Sequence, residues 1–73
     1  MTSWRKPRPG DAVIGGGRGG WNDPDRDRYT GIVTQVVKVS RVMTLVQIDG
    51  KDTKTGETGL FWLFAGQLRR LDT

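Results

Sequence analysis

The sequence predicts an all-β domain, and three observations carry that prediction. Apolar residues fall into five short runs rich in β-branched and aromatic types: "AVI", "YTGIVTQVVKV", "VMTLVQI", "LFWLF" and "LRRL". No stretch sustains the 3.6-residue period of an amphipathic helix. Most of the 11 glycines and all 3 prolines sit between the runs, so turn signals and candidate strands separate cleanly.

Taken in order, residues 1–9 read as a flexible basic arm and 10–73 as the folded domain. Pro9-Gly10-Asp11 is a turn signal that opens the first strand, Ala12 to Ile14. Gly15 to Arg28 is so rich in glycine and aspartate that it reads as a long irregular loop. From Tyr29 to Val39 runs a strand whose apolar parity slips between Val33 and Val36, as a β-bulge near Thr34 and Gln35 would cause. Val42 to Ile48 is the third strand. Asp49-Gly50 reads as a turn opening a polar loop through Gly59. Leu60 to Phe64 is the fourth strand, Ala65 to Gln67 has room for one 3₁₀ turn, and Leu68 to Leu71 closes the domain.

Five short strands with a long first loop and a tight turn before the last strand resemble an SH3-like small barrel. The resemblance rests on "PGDAV", "YTGIVTQV", "TLVQIDG" and "FAGQLRRL", spans about residues 9–72, and is architectural. It is similar to the layout of KOW-type modules, the small photosystem reaction-centre subunit with this barrel, and type II dihydrofolate reductase. Such barrels host unrelated functions, so function rests on sites. The reductase family builds its pore around Val-Gln-Ile-Tyr in the strand before the last turn. This chain has Leu60-Phe61-Trp62-Leu63 there, and its "VQI" at Val46 to Ile48 stands one strand too early. The activity is therefore not carried over.

A 73-residue chain is one domain at most, and one that buries only about 60% of its unfolded surface. Cysteine and histidine are absent, which removes disulfides, thiolate or imidazole metal sites and histidine-based triads. No secretory signal or membrane-length apolar run is present, so a cytoplasmic protein without membrane contact is expected. The net charge of +4 suits nucleic acid or an acidic protein surface as partner.

The literal G-x-G-x-x-G at Gly15, Gly17 and Gly20 lacks the helix that a dinucleotide fingerprint requires, because Trp21-Asn22-Asp23-Pro24 follows. A Walker A reading fails where Trp21 and Asn22 replace Lys and Ser or Thr. Asp23, Asp25 and Asp27 imitate the start of an EF-hand loop, but Arg28 and Thr34 occupy the positions of its glycine and final glutamate. A solvated loop neutralised by Arg26 and Arg28 accounts for them, and no metal site or cofactor is expected. No acid/base pair stands out, so no enzymatic activity is expected.

Two binding surfaces remain. For nucleic acid, Arg5, Lys6, Arg8, Arg18, Arg26, Arg28, Lys38, Arg41, Arg69 and Arg70 would contact phosphates, while Trp21, Tyr29 and Trp62 would stack on bases. Trp21 folding back over the barrel's open end is the competing account of that residue. For a protein partner, "LFWLF" is informative. Leu60, Trp62 and Phe64 share one face and Phe61 and Leu63 the other; one small core fills only one of them, so the second is left to the long loop, the Trp4 arm or another chain. Docking would use the Leu60 to Phe64 strip and the groove beside the first loop, with Phe61, Trp62 and Leu63 as the expected interface residues, in an adaptor, inhibitor, assembly subunit or homo-oligomer. Nucleic-acid binding is the leading expectation and protein docking the alternative.

Overall fold

The computed structural model describes residues 7–17 and 24–71. They form five antiparallel strands: β1 (Ala12–Gly15), β2 (Tyr29–Lys38), β3 (Thr44–Asp52), β4 (Thr58–Phe64) and β5 (Leu68–Arg70). The strands make one sheet in the order β4-β3-β2-β1-β5. Its hydrogen-bonded ladder is open, with β4 and β5 as the two edges, so the closed barrel expected from the layout is not present as a continuous ladder.

Alternation fills the inner face. Val13 of β1, Val33 of β2, Val46 and Ile48 of β3, Leu63 of β4 and Leu68 of β5 form the buried core. Tyr29, Val36, Phe61 and Ala65 pack against it. The parity slip in β2 is a bulge: Val33 pairs with Ile48, the next pair is Gln35 with Gln47, and Thr34 is the extra residue. On the outer side the Thr34 hydroxyl donates to Gln47 Oε1 at 2.8 Å, and Gln35 Nε2 donates to the same oxygen at 3.2 Å. The bulge keeps Val36 on the core side, which an unbroken strand would have turned outward.

Two expectations are corrected. Asp49-Gly50 is not a turn, because β3 continues to Asp52 and the chain reverses at Thr53–Thr55. Gly50 faces Gly31 on one side and Gly59 on the other, in a row across three strands that lacks side chains. A Cβ on Gly50 would overlap the Thr30 carbonyl oxygen and lie 2.6 Å from Gly31 Cα. Gly50 is thus used for close backbone approach, and the local turn signal is overridden by pairing on both sides. The stretch from Gly15 to Arg28 is also not wholly irregular. Gly15 ends β1, and Pro24–Asp27 form a 3₁₀ turn, with proline near the start where its missing N–H costs nothing.

A second 3₁₀ turn, Ala65–Gln67, links β4 to β5 as the sequence predicts. No helix among the described residues is long and apolar enough to cross a membrane.

Candidate functional site

The extension of β3 past Gly50 has a direct consequence, since it delivers Asp52 to the start of β2. Asp52 is the one buried charged residue among those described, 3% exposed, and Arg28 grips its carboxylate from 24 positions away. Arg28 Nε donates to both carboxylate oxygens at 3.1 Å and Nη2 donates to Oδ2 at 2.9 Å. Asp52 Oδ1 also accepts the backbone N–H of Lys54 at 2.9 Å and of Thr55 at 3.4 Å. One carboxylate therefore organises both the β3–β4 turn and the entry to β2. The hydrogen bonds from Arg28 lower its pKa most, desolvation works against them, and the two N–H groups lower it further, to about 2. The Arg28 pKa is raised, first by the same hydrogen bonds.

Arg28 and Tyr29, both expected to face nucleic acid, are partly exposed and also make contacts within the fold. The Arg28 guanidinium carbon lies 5.3 Å from the Tyr29 ring centroid, and the Tyr29 and Phe61 rings are 5.0 Å apart, tilted by 46°. The three side chains form a half-buried packed column.

The described aspartates of the alternation, Asp25 and Asp27, also reach distant partners, beside the nearby charges of Arg26 and Arg28. Asp27 accepts from Arg69 Nη2 at 2.8 Å, which lowers the Asp27 pKa and raises that of Arg69. Asp25 lies 3.9 Å from Lys54 Nζ. Asp23 lies outside the described residues. Gly16, Gly17, Asp25, Arg28, Tyr29 and Lys54 surround an open groove of about 480 Å³. Its two cations already face Asp25 and Asp52, so it offers a ligand little net charge.

Among the described residues, Arg8, Arg26, Lys38 and Arg41, also expected to contact phosphates, sit on three separate segments. Arg8 is exposed beside the start of β1, where its own backbone N–H bonds Asp11. Arg26 is half-buried in the first 3₁₀ turn. Lys38 and Arg41 are exposed together at the β2–β3 hairpin. Arg5, Lys6, Arg18 and Trp21 lie outside the described residues.

The outer face of β4 is different. Leu60, Trp62 and Phe64 are 60%, 47% and 49% exposed, and all three project from the same side of an edge strand. Phe64 lies in a row with Leu45 of β3 and Val37 of β2, and Trp62 in a row with Gln47 and Gln35. Beyond the Val37 end, the β2–β3 hairpin exposes Val39, Val42 and Met43 beside Lys38 and Arg41. Of the three residues expected at a partner interface, only Trp62 is well exposed. Leu63 is a core residue, 7% exposed, and Phe61 packs against the core and Tyr29. This is a correction of parity. The alternation in "LFWLF" is visible in sequence, but the choice of inner face is made by the register of β4 on Val46 and Ile48. Leu60 and Phe64, and not Phe61 and Leu63, share the exposed face with Trp62.

No protein-family model matches the chain, and no curated protein or solved structure is significantly similar to it.

Proposed function

We propose that the chain is a non-catalytic protein-docking module whose contact surface is the outward face of β4. One observation carries the reading: Leu60, Trp62 and Phe64, successive outward residues of one strand, each leave about half or more of their surface in water. A contiguous apolar strip of this kind on a small domain marks a contact surface, and aromatic side chains dominate the energetics of such contacts. The strip continues through Leu45 and Val37 toward the Lys38 and Arg41 hairpin, which favours a partner with an apolar centre and an acidic rim.

A second reading uses the same face. Trp62 and Phe64 would stack on bases while Lys38 and Arg41 hold phosphates, consistent with the charge of +4. Titrating isotope-labelled protein with short single- and double-stranded oligonucleotides, at low and at raised salt, separates the two. The docking reading expects no saturable shifts at Trp62 and Phe64. Saturating shifts there and at Lys38 and Arg41 that fade with salt replace it with the nucleic-acid reading.

A further inference from the structure

The two edges of the sheet are built differently. β5 has three residues, two of them the arginines Arg69 and Arg70. Shortness and charge are devices that blunt an edge against further pairing. β4 has seven residues, "TGLFWLF", with no charge and no proline. Its register on β3 runs from Lys51 and Thr58 to Leu45 and Phe64 without a shift, so no bulge twists the edge away. A long, neutral strand of high β-propensity at a sheet edge presents unpaired N–H and C=O groups as a template for another strand.

We propose that β4 pairs antiparallel with β4 of a second copy, making a two-fold dimer with one continuous sheet. A second copy suits this edge for three reasons. The strand is neutral, so self-pairing sets no like charges opposite one another although each chain carries +4. Antiparallel self-pairing is isologous, each copy contributing the same surface, so the contact closes on itself. The edges left over are the two arginine-bearing β5 strands, which stop growth at the dimer. Pairing also sets the Leu60, Trp62 and Phe64 strips of the two copies side by side, turning two narrow strips into one platform. The inference goes beyond the docking reading because it uses the main chain of the edge, whereas docking uses its outward side chains.

The test is sedimentation equilibrium of the full chain from dilute to concentrated protein, joined to amide hydrogen exchange of β4 by NMR. The expected result is a doubling of mass with concentration. It is accompanied by slowed exchange at those alternate β4 amides that face away from β3. Raised salt should tighten the dimer by screening the repulsion of two positive chains, opposite to its effect on nucleic-acid binding. Trp62→Lys should hold the protein monomeric while it stays folded, and Val42→Lys, at the hairpin tip, should leave the dimer intact. A monomer at every concentration overturns the proposal. So does a dimer whose β4 exchange does not change. A monomer that still contacts a partner through Leu60 and Phe64 overturns the dimer and leaves the docking reading standing.

Discussion

Replacing Gly50 with alanine tests whether the glycine row sets the shape of the sheet. Gly50 and Gly31 stand opposite each other, and a Cβ on either would come within 2.6 Å of the other's Cα. The Thr30 carbonyl is in the way as well, and all these atoms are backbone, so no side-chain rotation relieves the overlap. Overpacking of this kind costs about 1–3 kcal/mol or more. The unfolded chain returns about 0.5–1 kcal/mol, since alanine has less freedom to lose than glycine. A net loss of about 2 kcal/mol is expected, which for a domain of this size lowers Tm by about 8–16 °C. Gly56→Ala is the control. Gly56 has φ of +82°, but a Cβ there would meet no atom within 4 Å, so only the left-handed backbone matters. That costs about 1–2 kcal/mol, offset in part by the unfolded-state gain of about 0.4–1 kcal/mol, so a net loss of about 1 kcal/mol or less is expected, smaller than at Gly50. Thermal and urea unfolding followed by circular dichroism compares the two. A Gly50→Ala protein as stable as Gly56→Ala, or as the parent, would refute the close-approach argument.

Three further outcomes follow from the same geometry. Trp62→Ala, which removes a ring only about half out of water, should cost about 1 kcal/mol, whereas Leu63→Ala should cost about 2–5 kcal/mol; urea midpoints read the contrast between adjacent residues on opposite faces. Ile48→Ala, at a site with no solvent exposure, should cost a similar loss of about 2–5 kcal/mol in the same assay. The Asp52 pKa is lower folded than its ordinary 3.8, so its contribution to stability is complete above that value and is lost as pH falls toward about 2. Acid titration of the unfolding midpoint should show this loss, and Asp52→Asn should flatten the curve in that window.

How much of this was legible in the sequence depends on the range of the signal. The β2 bulge was readable because a parity slip is local, and so was the 3₁₀ turn at Ala65–Gln67 between two apolar runs. The 3₁₀ turn at Pro24–Asp27 also had a local signal, proline followed by Asp25, but the surrounding glycines and aspartates masked it. Asp49-Gly50 misled for a physical reason: the same dipeptide that permits a turn also permits two backbones to touch, and only the partners Gly31 and Gly59 decide between these uses. The ion pair of Arg28 with Asp52 spans 24 positions, and neither residue differs locally from an ordinary solvated charge. The exposed strip was half legible. Alternation grouped Leu60 with Trp62 and Phe64, while the side that meets the core is a property of the register on β3.

The most direct test of the docking surface is photo-cross-linking in cells that make the protein. Benzoylphenylalanine is placed singly at Leu60, at Phe64 and at Thr55 in the β3–β4 turn. The account predicts discrete adducts from positions 60 and 64 that survive nuclease and are destroyed by protease, with none from 55. Adducts from 55 alone, or nuclease-sensitive adducts from 60 and 64, would contradict it.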